Sequence, residues 1–168
     1  AYSEHPGPSS PVQGGWFTQE ILLALTSNPE VWSKTVLLVT YDENDGFFDH
    51  MPSPSAPSRR KDGSFAGKST LGFDSELFTH PAPAGSTQQP LPDGGVYGPG
   101  PRVPMLVLSP WSRGGWVNSQ VFDHTSVLQF LEKRFGVREP NISAWRRAVC
   151  GDLTSAFNFA DPNHETLP

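Results

Sequence analysis

The stretch TVLLVTYDENDGFFDH, residues 35–50, changes character at its middle. Thr35 to Tyr41 is a near-continuous run of β-branched and apolar residues, which reads as a strand buried on both faces, the pattern of a parallel sheet. Directly after it come Asp42, Glu43, Asp45 and Asp49, four of the 17 acidic residues in the chain. Two adjacent carboxylates at a strand end repel each other unless a cation or hydrogen-bond donors offset them. A hard divalent metal takes oxygen ligands, and Asp42 and Glu43 on a rigid strand end would supply them at fixed geometry. DENDG is equally good turn chemistry, and a solvated turn is the competing reading. An EF-hand is excluded, because counting from Asp42 its sixth and twelfth positions are Phe47 and Ser53 instead of Gly and Glu.

Working outward, the Pro- and Gly-broken residues 1–15 are expected to be an extended loop, and Phe17, Ile21, Leu22 and Leu25 recur at helical spacing. Asn28 and Pro29 form a cap and first-turn proline for a short helical turn. Residues 51–102 hold 9 of the 18 prolines and read as a long irregular loop insertion, either functional or partly disordered. A second short strand follows in RVPMLVLSP (102–110), then a tight loop with Trp111 and Trp116. FDHTSVLQFLEKRFG (122–136) predicts a helix capped by Asp123 or Thr125 and closed by Gly136, with Val127, Leu128, Leu131 and Phe135 on one face. A last short helix is expected at Ala144 to Val149. Strands alternating with helices predict an α/β sheet whose chemistry sits at the carboxyl ends of its strands, which is where YDENDG falls.

Composition narrows the function. The net charge of −5 leaves no basic stripe for a nucleic acid or an anionic membrane, and Arg59-Arg60-Lys61 lies in a Pro/Ser-rich stretch that reads as a solvated loop. The single Cys150 excludes an intrachain disulfide and a thiolate zinc site, and reads as a small core residue. No apolar run is long enough for a transmembrane segment. Among the histidines, His5 lies in a loop with no structural demand for it, His50 follows Asp49, and His124 opens the predicted helix. His80 and His164 read as loop residues without a role. No phosphate loop, dinucleotide fingerprint or nucleophile elbow is present, and no hydroxyl stands out as an activated nucleophile.

Four stretches together, SEHPGPSSPVQGGWFTQEILLAL (3–25), TVLLVTYDENDGFFDHMPSP (35–54), GPGPRVPMLVLSPWSRGGWVNSQVFDHTSVLQFLEKRFGV (98–137) and AWRRAVCGDLTSAFNF (144–159), resemble the bacterial phosphoesterase family. Its members are phosphocholine-preferring phospholipases C, including the non-hemolytic type, and related acid phosphatases. The resemblance covers nearly the whole chain and implies a partial alkaline-phosphatase-like, mostly parallel sheet flanked by helices. It implies phosphoric ester hydrolysis through a Ser or Thr phospho-intermediate with a divalent metal ion. It assigns Asp42 and Glu43 to the metal and His5 to the phosphoryl oxygens, with His50 and His124 as further catalytic candidates and Asn44, Asp45 and Asp49 lining or bracing the pocket. The substrate it implies is a phospholipid or phosphocholine ester, for which Trp111 and Trp116 offer aromatic faces to a choline group.

The start, AYSEHPGPSS, reads like the middle of a longer chain. The resemblance places residues 1–168 in the C-terminal part of a catalytic domain whose nucleophile lies upstream. The expectations are then an inactive fragment that needs the upstream part of its domain as partner, an exposed strand edge prone to self-association, and a secreted or periplasmic parent protein. Rival readings are an acid phosphatase and a non-catalytic module that binds a metal or a partner.

Overall fold

The computed structural model describes residues 2–79 and 94–163. His80 and His164 lie outside the described residues. The chain forms two compact units. One comprises the residues up to Val39, Met105–Gly114 and those from Asn158 on; the other comprises Thr40–Pro104 and Gly115–Phe157.

In the first unit, helix α1 spans Pro11–Thr26, earlier than the apolar spacing from Phe17 predicts. Pro11 explains the difference: at the first helical position its missing N–H costs nothing and its fixed φ suits the helix. Gly14 and Gly15 are therefore helical, and Gly14 leaves room for the Glu4 side chain to lie against the helix. A Cβ there would come within 2.0 Å of the Glu4 side chain. Tyr2 packs on Trp16 and Phe17, with ring centroids 5.4 and 5.6 Å apart. Helix α2 (Pro29–Trp32) starts as expected, the Asn28 side chain accepting from the Glu30 and Val31 amides. Strand β1 (Leu37–Thr40) pairs with β4 (Met105–Leu108) in a two-stranded sheet. The expected burial on both faces is not found: Leu37 to Val39 are half-buried and Leu106 is exposed. A sheet of two strands covers too little surface to enclose either. Ser109, just after β4, is buried and donates to Thr35 O at 2.8 Å.

The second unit holds the core: Ala56, Leu77, Ile142, Trp145, Cys150, Leu153 and Phe157 are all buried. Two of these lie inside residues 51–102, so that Pro-rich segment is more ordered than a bare loop. It contains the antiparallel hairpin β2 (Ser58–Arg59) and β3 (Phe65–Ala66), a 3-10 turn at Asp74–Glu76, and a bridge between Leu77 and Val96. Arg60 and Lys61 are exposed at the hairpin turn, as the charge pattern predicts. Burial pushes the Cys150 thiol up to about 12, in line with its role as a small core residue.

Helix α3 (His124–Phe135) has the predicted ends. Asp123 and Ser126 form a reciprocal capping box, and Gly136 closes the helix in the left-handed conformation. Such a cap contributes about 1 kcal/mol. The buried face differs from the predicted one. Leu128, Leu131 and Phe135 are exposed, whereas Ser126 and Gln129 are buried and Phe130 stacks on Phe157 at 5.1 Å. Asp123, Ser126, Phe130 and Lys133 share a face at i, i+3, i+7 and i+10. Ion pairs from Asp123 to Arg146 and from Lys133 to Asp152 dock that face on the segment beginning with α4 (Ala144–Val149). Polar pairing, not the leucine stripe, therefore sets the rotation of α3. The mixture of helix and strand fits an α/β chain, the sheets being two-stranded among the described residues.

Candidate functional site

The acidic turn grows from the end of β1. The Tyr41 N–H donates to Pro104 O at 3.3 Å, and Tyr41 O lies 2.8 Å from Nε2 of His124. A carbonyl only accepts, so Nε2 of His124 carries the proton. Beyond Tyr41 the chain reverses through Asp45 at φ 47° and Gly46 at φ 76°. Asp and Gly are the residue types that tolerate this left-handed region. Glu43 Oε2 accepts from the Asp45 N–H at 2.6 Å, and Phe47 N–H donates to Asn44 O at 2.9 Å. The Asn44 side chain donates to Phe47 O at 2.6 Å. The turn chemistry read from DENDG is thus realised, and it leaves the carboxylates of Asp42 and Glu43 at the surface.

Asp49 and His50 follow on the far side of the turn. Arg102 Nε donates to Asp49 Oδ2 at 2.7 Å, while Asp49 Oδ1 takes the His50 amide at 2.8 Å and lies 3.0 Å from His50 Nδ1. The guanidinium holds the Asp49 carboxyl below its ordinary pKa. Asp49 thereby ties the acidic turn to the residues before β4 and orients an imidazole that is 94% exposed. Arg102 carries no signal of this role in the sequence, since its partner is 53 residues away.

Of the predicted residues, Asp42, Glu43, His50 and His124 belong to the second unit and His5 to the first. His5 is exposed, its Nδ1 lies 2.9 Å from Pro6 O and its carbonyl accepts from Ser9 N–H. A carbonyl only accepts, so Nδ1 donates to Pro6 O, and Nε2 is the ring nitrogen outside that contact. Trp111 is half-buried near Phe159 in the first unit, and Trp116 is exposed in the second.

Asp42 and Glu43 are hard oxygen donors of the type a divalent ion prefers, and their exposure leaves them able to accept one. Among the described residues no group of three or more His, Cys, Asp or Glu side chains is arranged to hold a metal. The pair fits part of a hard-metal site, with further oxygen ligands needed to complete it.

A second charged cluster joins residues far apart in the sequence. Glu76, only 3% exposed, accepts from Ser143 Oγ at 2.6 Å, from Arg146 Nε at 3.0 Å and from Arg146 Nη2 at 2.5 Å. Arg146 Nη1 pairs with Asp123, which also accepts from Thr125 Oγ1 at 2.6 Å. Burial opposes both charges, yet these bonds outweigh it, lowering the Asp123 pKa and raising that of Arg146. An open cavity of about 340 Å³ lies alongside, lined by residues including Tyr97, Leu128, Asn141 and Arg146. The signal that could have pointed to this cluster is Glu76 itself, set between Phe73 and Leu77 where a charge requires a partner.

Residues 1–138 match the family model described as the phosphoesterase family. A non-hemolytic phospholipase C of Pseudomonas aeruginosa is 65% identical over 167 residues, covering 99% of this chain and 23% of the relative. One from Burkholderia pseudomallei is 56% identical, covering 97% of this chain and 22% of its own length. Phospholipase C A of Mycobacterium tuberculosis is 46% identical, covering 99% and 29%. The chain thus spans about a quarter of the length of these curated relatives. The family match runs through His5, the strand-end carboxylates and the start of α3, and the chain belongs to the phosphoesterase family.

Proposed function

We propose that this chain supplies one part of the active site of a secreted or periplasmic phospholipase C, which hydrolyses phosphatidylcholine or sphingomyelin to release phosphocholine. The observation that carries the reading is the exposed Asp42–Glu43 pair on a strand end held at Tyr41, in a chain 65% identical to a non-hemolytic phospholipase C. Residues 1–168 would be the C-terminal part of the catalytic domain, with 51–102 inserted in it and β1 and β4 belonging to a larger alkaline-phosphatase-like parallel sheet. The reaction would pass through a Ser or Thr phospho-intermediate whose nucleophile lies upstream of this chain.

Asp42 and Glu43 would hold the divalent ion, which when bound supplies Lewis-acid polarisation of the phosphoryl group. Around it the chain's own residues bind and orient. Nε2 of His5, the ring nitrogen not directed at Pro6 O, would face a phosphoryl oxygen as an N–H donor. The His50 ring is held beside Asp49, which Arg102 keeps ionised, so its free nitrogen faces solvent where a substrate oxygen can reach it. His124 belongs to the same strand end through Tyr41.

The test is hydrolysis of p-nitrophenyl phosphorylcholine and of p-nitrophenyl phosphate. It is run on this chain alone and on the Pseudomonas aeruginosa relative with its matching stretch replaced by this chain. The expected result is metal-dependent turnover of the choline ester in the chimera, none in the chain alone, and a loss of more than about a hundredfold with D42N. Preferred turnover of p-nitrophenyl phosphate would make the protein an acid phosphatase. An inactive chimera would favour a non-catalytic module.

A further inference from the structure

We propose that His124 is a positioning residue: its Nε2–H, donated to Tyr41 O, fixes the acidic turn from which Asp42 and Glu43 project. The significance of this contact for a metal rests on the reading of that pair as metal carboxylates. Tyr41 is the last residue before the turn, and both its backbone groups are engaged. Its N–H is bonded to Pro104 O at 3.3 Å and its C=O to His124 at 2.8 Å. The first bond comes from the chain entering β4, and the second crosses 83 residues to the first position of α3. The two bonds hold the two peptide planes on either side of the Tyr41 Cα, the Thr40 hydroxyl adding a 3.3 Å bond to the same carbonyl, and so fix the direction in which residue 42 leaves the strand.

The imidazole in turn stands on a fixed platform. Asp123, immediately before it, caps α3, and its second oxygen pairs with Arg146, which also grips the buried Glu76. Sliding or fraying of the first turn of α3 would break these charge-assisted bonds, so the position of His124 is determined by the cluster behind it. With Nε2 committed to a carbonyl, that nitrogen is unavailable to a substrate. Through that nitrogen the side chain acts on Tyr41. Residues that hold ligands in this way typically change metal affinity by about 10–100-fold when removed.

The experiment uses the 168-residue chain with H124A, H124N and H124Q, and with D42N as the metal control. Glutamine places an amide N–H near the position of Nε2, whereas asparagine is too short to reach Tyr41 O. Two readouts are taken: amide hydrogen exchange at Asp45 and Phe47, whose N–H groups close the turn, and Mn²⁺ affinity from paramagnetic broadening of amide signals in residues 42–45. The expected result is exchange at Phe47 accelerated about tenfold in H124A and H124N and returned towards wild type in H124Q, with amides of Val39 and Val107 unchanged. Mn²⁺ binding should weaken about tenfold in the same two variants, recover in H124Q, and vanish in D42N. Unchanged exchange in H124N, or no rescue by H124Q, would overturn the positioning role. If D42N binds Mn²⁺ like wild type while exchange follows the expected pattern, the metal reading fails and the positioning of the turn stands. Should H124A unfold, the comparison of H124N with H124Q decides alone.

Discussion

The acidic turn at residues 42–50 and the Arg146 cluster use the same side-chain chemistry to opposite ends. In the cluster, Glu76 is buried and Asp123 half-buried, one guanidinium, Arg146, bridges both carboxylates, and hydrogen bonds from Ser143, Thr125 and Ser126 offset the remaining negative charge. In the turn, Asp42 and Glu43 are exposed at a strand end, and the acceptor role of Glu43 is met by a single backbone amide. Satisfied buried charges hold a structure in one arrangement, whereas exposed acidic neighbours retain affinity for a cation from outside the fold. The two are connected through Asp123 and His124, one facing the cluster and the next facing Tyr41.

The sharpest break of this contrast is Arg146→Met. It leaves the carboxylates of Glu76 and Asp123 without a cationic partner, and the expected loss is about 3–5 kcal/mol in urea unfolding. A loss under about 1 kcal/mol would mean that water reaches the cluster and that its carboxylates resemble those of the turn.

A smaller effect is expected at Glu132, whose carboxylate accepts two bonds from Arg147, at 2.7 and 2.8 Å. These bonds lower its pKa from 4.5 to about 2. A folded-state pKa below the unfolded one contributes stability that is present above about pH 4.5 and is lost as the pH falls towards about 2. Urea midpoints of wild type and Glu132→Gln should therefore differ at pH 6 and converge near the folded pKa. Midpoints that differ equally at both ends of this range would show that the pair acts by packing and not by charge.

The smallest effect belongs to Phe47 and Phe48, each 79% exposed. Replacing either by Ser should change stability by no more than about 0.5 kcal/mol, since no packed contact is lost. A larger loss in thermal melting would place these rings in a buried cluster and remove the contrast between an open turn and a closed core.

Much of the local structure was legible because its causes are local. Asn28 before Pro29, Asp123 with Ser126, and Gly136 mark helix ends by hydrogen bonds spanning no more than four residues. DENDG announces a turn because Asp45 and Gly46 tolerate positive φ. The start of α1 was misjudged where Pro11, Gly14 and Gly15 looked like breakers. Proline at a first helical position breaks nothing, and Gly14 accommodates the Glu4 side chain. The rotation of α3 is not legible in the leucine stripe, because Asp123 and Lys133 pair with residues further along the chain.

The sequence by itself determined the family, the ends of α3 and α4, the acidic turn and the candidate residues Asp42, Glu43, His5, His50 and His124. Each of these depends on residue type at short spacing, or on long stretches shared with relatives. Only the tertiary structure decided that Glu76, Asp123 and Arg146 form one buried cluster, that Arg102 holds Asp49, and that His124 reaches Tyr41. Those pairs are separated by 70, 23, 53 and 83 residues, and contacts at such separations are selected by the energetics of the folded chain, not by local conformational preference.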